Sequence, residues 1–178
     1  AEWVGRMGVT LQPLVDALKS EMLSYPVLHA DETPVAMLDP GAGKTHRAYL
    51  WSYSIGAFEP VKAVVYDFAE SRAGKHAREF LGDWRGTLVC DDYAGYKALI
   101  ADGVTEAGCM AHARRKFFDL HANNQSQIAQ QALIYIQSLY QVEREVAELA
   151  TDERRRIRQE KAKPILYEFH EWLTRQRC

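Results

Sequence analysis

Three strand-forming runs follow one another with little chain between them. Residues 27–38, 47–56 and 61–69 are rich in apolar, aromatic and β-branched side chains. "DPGAGKTH" separates the first two and "AFEP" the next two, with Pro40, Gly41 and Gly43 as breakers. Parallel pairing needs a crossover of a dozen or more residues, so these three runs are restricted to an antiparallel meander.

The pattern then changes. Ser71 is placed to cap a helix whose Ala73, Ala77, Phe80 and Leu81 share a face. "GTLVCDD" (86–92) reads as a fourth strand, "YKALIAD" as a short helix and "VTEAGCM" (104–110) as a fifth strand. Strand, helix, strand implies a right-handed parallel crossover. The expected fold is α/β: a mixed five-stranded sheet flanked by helices, in ribonuclease H-like order. Before it, Thr10 to Leu23 reads as a leading helix with Leu11, Leu14, Val15, Leu18 and Met22 at helical spacing and Thr10 as its cap. After about residue 111 everything reads helical, as a C-terminal extension or insertion. The expected divisions are residues 1–25, 26–120 and 121–178.

Bulk properties add limits. The 178 residues are 47% hydrophobic and 26% charged, which suits a globular domain. No apolar run approaches the ~20 residues of a membrane span. Cys90, Cys109 and Cys178 are too few and odd in number for a disulfide scaffold, so a reduced cytoplasmic setting is expected. Residues 1–108 hold 10 Lys/Arg and 15 Asp/Glu, and residues 109–178 hold 12 and 9. That polarity reads either as ordinary solvated surface or as an acidic, cation-attracting half beside a basic half. Ala1 has no methionine before it and Cys178 closes an apparent helix, so the chain reads as a piece of a longer protein.

Carboxylates interrupt the apolar strands. Asp31 and Glu32 lie inside "PVLHADETPV", and Asp91 and Asp92 end the fourth strand. Burying an ionised carboxylate costs several kcal/mol, on the order of a lost buried ion pair, unless a partner offsets it. If the first and fourth strands are neighbours, roughly 4.8 Å apart, Asp31 and Asp91 can share a divalent cation. Oxygen-only ligands suit Mg²⁺ or Mn²⁺. Alternatively Asp31 caps a turn or pairs with Arg47. Glu32 faces the opposite side, solvated or ion-paired. On the longest helix, from Ile128, the residues Ala132, Ile136, Leu139, Val146 and Ala150 form a stripe with Glu143 inside it. Glu143 is read either as a metal ligand or as a core partner of Arg114 or Arg115.

"HADETPVAML", "YLWSY", "DDYAGY", "GCMAHARRKF" and "LYQVE" together resemble transposases of the insertion sequence 66 family, DDE-type enzymes on a ribonuclease H-like fold. The resemblance implies Mg²⁺- or Mn²⁺-dependent cutting of transposon DNA ends and strand transfer into target DNA, with a homo-oligomer when full length. It implies Asp31 as the first aspartate and Asp91 as the second, with Asp92 where the family usually has glycine. Glu143 is the candidate third acid within the chain. The alternative is the glutamate of the family's later Asn-Asn-x-x-Glu-Arg stretch, beyond Cys178. A second reading is a non-catalytic DNA-binding or assembly module with an incomplete site. A third is a nuclease of the same fold.

Other signals are weaker. Cys109 and His112 alone fall short of the four ligands zinc usually takes. Arg114, Arg115 and Lys116 are candidate DNA-phosphate contacts or partners of nearby acids. "DPGAGKTH" is not a phosphate loop, since Leu38 occupies the required glycine position and a strand follows. "DERRRIRQEKAK" reads as a solvated helix or as DNA contact, and Trp51, Trp84 and Trp172 as core.

Overall fold

A computed structural model describes residues 2–176, so Cys178 lies outside the described residues. Two compact units separate between Cys109 and Met110. The expected division at residue 120 falls inside a helix of the second unit.

In the first unit α1 (Glu2–Met22) precedes β1 (Val27–Asp39), β2 (Lys44–Ile55) and β3 (Val64–Ala69). Then come α2 (Lys75–Leu81), β4 (Thr87–Cys90), a 3₁₀ turn (Ala94–Tyr96), α3 (Lys97–Ala101) and β5 (Thr105–Gly108). The sheet order is β3-β2-β1-β4-β5. β1, β2 and β3 form the expected antiparallel meander, and β4 adds parallel to β1 and β5 parallel to β4. At the β1–β2 hairpin, Ala42 N–H donates to Asp39 O, and Gly41 and Gly43 take φ of 91° and 64°, which side-chain-bearing residues rarely adopt. The glycines of "DPGAGKTH" therefore serve a turn.

Strand alternation sorts the sheet into two faces. Leu28, Ala30, Trp51, Tyr53, Ile55, Val65, Leu88 and Cys90 form one core with Met22, Ala77, Phe80, Leu81, Tyr96 and Leu99 from the helical segments. The opposite face carries Asp31 with exposed Tyr66 and Phe68. The helix α1 starts earlier than Thr10, whose hydroxyl donates back to Arg6 O instead of capping. Of its expected apolar stripe only Met22 is buried; Leu14 is 68% exposed, because only the C-terminal end of α1 reaches the core. Ser71 does not cap α2 either. Gly74 holds that position without a side-chain bond, while Ser71 Oγ lies 3.0 Å from His76 Nε2.

Gly74 is required for packing. A Cβ there would stand 2.2 Å from the backbone oxygen of Gly95, so α2 meets the 3₁₀ turn backbone to backbone. Gly74→Ala is expected to destabilise the unit by about 2–3 kcal/mol, the range of core overpacking, as read by urea unfolding.

Asp67 faces the core side of β3, opposite Trp51 in register. Burial pushes its carboxyl above the usual carboxylate range; Lys19 and His76 oppose this and Glu79 adds to it. The stability linked to this proton is present below the unfolded carboxylate pKa and is lost as pH rises through the folded one. Asp67→Asn is therefore expected to be more stable than the parent at pH 7.5, by about 0.5 kcal/mol after solvent screening, and no more stable at pH 4. Paired urea titrations at the two pH values check the sign.

The second unit is helical: α4 (Met110–Asn124), α5 (Gln127–Val146), α6 (Thr151–Ile157), a π-helical turn (Arg158–Ala162) and α7 (Lys163–Gln176). Ser126 caps α5 by accepting from Ala129 N–H at 3.2 Å. The buried stripe of α5 is Ala129, Ala132, Ile136, Leu139, Val142 and Val146. Ala132, Ile136, Leu139 and Val146 are buried as expected, whereas Ile128 is exposed and Ala150 lies past the helix end. Phe169 closes this core, with Tyr135 stacked on it at 5.1 Å and Trp172 packed beside.

Candidate carboxylate site

Asp31 and Asp91 are set by the β1–β4 ladder. The pairs are Val27 with Thr87, Leu28 with Leu88 and His29 with Val89. The ladder ends at His29 with Val89, and Asp91 directly follows Cys90, the last residue of β4. Neighbouring strands lie about 4.8 Å apart. Arg47 is not opposite Asp31: it stands across from Ala36, and Asp31 pairs with Ser52. Asp31 Oδ1 accepts from Glu32 N–H at 3.0 Å.

The side chain of Asp91 is 25% exposed and its Oδ1 accepts from Tyr93 N–H at 3.1 Å. Asp92 faces away, 81% exposed, and pairs with Lys97 at 2.9 Å. Lys97 also binds Glu106 at 3.0 Å. The adjacent acids are thus distinct: one closes a turn at the strand end, and the other joins a surface ion-pair network.

Glu32 is the buried acid of the sheet. Its side chain is 1% exposed, so it is ion-paired but not solvated. Arg72 donates to Oε1 through Nε at 2.8 Å and also through Nη2, and the Tyr96 hydroxyl donates to Oε2 at 2.7 Å. Burial first, then Glu32, pushes the Tyr96 hydroxyl far above its ordinary pKa, so it remains a donor. The Arg72 guanidinium lies 3.9 Å over the Tyr93 ring, and the Tyr93 hydroxyl donates to Arg72 O. Arg72 Nη2 is also 3.8 Å from Asp91 Oδ2. An arginine 40 residues from Glu32 carried no periodic signal; only the apolar setting of Glu32 hinted that a partner was required. Beneath this cluster, burial, then Glu106 and Asp91, push the Cys90 thiol up to about 11, which leaves it an inert core group.

Glu143 lies in the second unit and is engaged there. Arg158 donates to Oε1 through Nε at 2.8 Å and to Oε2 through Nη2 at 2.5 Å. Its partner is neither Arg114 nor Arg115, because the π-helical turn brings Arg158 back onto α5. Among the described residues, no group of three or more His, Cys, Asp or Glu is arranged to hold a metal ion.

The candidate DNA contacts are on α4. Arg114 and Arg115 border one surface hollow with Phe118 and Tyr140, whereas Lys116 is not part of it. The later basic run is largely balanced by acids: Arg156 pairs with Glu153 and Glu160, Arg158 with Glu143, and Lys161 with Glu145. No helix among the described residues is long and apolar enough to cross a membrane.

A family model described as Transposase IS66 family matches residues 1–178. The chain is similar to uncharacterized protein y4qI of Sinorhizobium fredii, 35% identical over 96% of this chain and 34% of that protein. It is also 32% identical to y4hP of the same organism, over 100% of this chain and 36% of that protein. The chain therefore spans about a third of the length of the curated relatives it matches.

Proposed function

The chain belongs to the transposase IS66 family, and from that premise we propose that it is the DDE-type catalytic core of a DNA transposase. The full-length enzyme would cut transposon DNA ends and join them to target DNA. Asp31 and Asp91 would hold Mg²⁺ or Mn²⁺.

The observation that supports this reading is the parallel pairing of β1 with β4, the strand that holds Asp31 and the strand that ends just before Asp91. The sheet order β3-β2-β1-β4-β5 supports a ribonuclease H-like fold. Carboxylate oxygens from adjoining strands fit hard divalent cations, whose remaining ligands are commonly water and substrate phosphate. Such cations activate the attacking oxygen and stabilise the leaving oxygen of a phosphodiester. In this reading β1 and the end of β4 would present the two aspartates, while Asp92 pairs with Lys97. Because Glu143 is engaged by Arg158 in its own unit, the proposed site is built on two aspartates. Arg114 and Arg115, with Lys116 near them in sequence, are the proposed phosphate contacts.

A second reading rests on one observation: no three-donor group is arranged for a metal among the described residues. It makes this region a DNA-binding or assembly module. Mn²⁺ titration followed by electron paramagnetic resonance separates the two. The catalytic reading expects the parent chain to bind Mn²⁺ and Asp31→Asn to weaken binding at least about tenfold, the loss of one charged ligand. Equal, weak binding by both proteins would favour the module.

A further inference from the structure

Arg72 combines features that a mere counter-ion does not need. Its partner Glu32 is 1% exposed at the side chain, yet the side chain of Arg72 itself is 42% exposed. Two of its N–H groups are committed to Glu32. Its plane is fixed over Tyr93 at 3.9 Å. Its Nη2 stops 3.8 Å from Asp91 Oδ2, too far for a hydrogen bond. The result is an oriented guanidinium, anchored from the core side by Glu32, that forms a longer ion pair with Asp91 without a hydrogen bond.

A phosphodiester brought to Asp91 meets a like charge. A planar fork of N–H donors compensates for this better than a point charge, because it matches two phosphate oxygens at once. We propose that Arg72 receives the phosphodiester that is cut beside Asp91, and that Glu32 is the positioning residue that holds it there. This rests on the transposase reading of Asp31 and Asp91. Tyr96 and Tyr93 complete the cradle, one bonding Glu32 and the other stacking on the guanidinium.

The test uses the full-length protein and a transposon-end duplex carrying one neutral methylphosphonate at the scissile position. Affinities for this duplex and for the ordinary one are compared in wild type and R72Q. Neutralising the phosphate is expected to weaken wild-type binding about tenfold and R72Q binding hardly at all, because the lost contact is already absent. Equal losses in the two proteins overturn the proposal. R72K retains a counter-ion for Glu32. It is expected to melt like wild type but cleave at least about tenfold more slowly, and wild-type cleavage by R72K also overturns the proposal. E32Q is expected to reduce the methylphosphonate penalty while leaving Mn²⁺ affinity close to wild type. The transposase reading fails by a separate result, namely D31N cutting ends as fast as wild type.

Discussion

If Asp91 has the proposed catalytic role, Asp91→Asn in the full-length protein is expected to lower transposon-end cleavage by about 10³-fold or more, the scale on which removing a group that stabilises charge at the reacting centre is felt. The substitution is nearly isosteric. Asn keeps an Oδ1 acceptor for Tyr93 N–H, so the turn after β4 is retained. What it removes is the negative charge. Asp92→Asn is the internal comparison. Asp92 is 81% exposed and held by Lys97, so Asp92→Asn is expected to leave cleavage close to wild type. Single-turnover assays with Mg²⁺ and with Mn²⁺ measure both variants, and thermal melting checks the fold. Undiminished cleavage by Asp91→Asn, or loss of cleavage only in Asp92→Asn, would move the site off the β1–β4 ladder.

Glu32→Ala has the largest expected effect on stability, about 3 kcal/mol, and Glu32→Gln about half of that. The alanine leaves the buried Tyr96 hydroxyl without its acceptor and strips Arg72 of its partner. The exposed part of Arg72 regains water, which keeps the loss at the lower end for a broken buried ion pair. Gln retains one oxygen acceptor but loses the charge that holds the guanidinium. Urea unfolding followed by the fluorescence of buried Trp51 and Trp84 measures the first unit. A loss below about 1 kcal/mol for Glu32→Ala would mean that the pair is replaced by water at little cost. Asp91→Asn is expected to change cleavage with little effect on the fold, whereas Glu32→Ala is expected to change the fold first.

Sequence alone determined the meander, because turns of fewer than a dozen residues cannot return a parallel strand, and it determined the parallel additions, because a helix between strands can. It also marked Asp31 inside one apolar strand and Asp91 at the end of another, and these two strands pair in parallel. It did not determine which neighbour each acid meets. Alternation separates Asp31 from Glu32 onto two faces but does not say which face the helices cover, so it leaves Glu32 either solvated or ion-paired. Arg72 reaches Glu32 across 40 residues, and Arg158 reaches Glu143 across 15 through a π-helical turn. Such pairings have no period and follow only from the assembled chain. Periodic burial is a local property that the order of residues encodes directly. The partner of a buried charge is a meeting of distant segments, and only tertiary structure decides it.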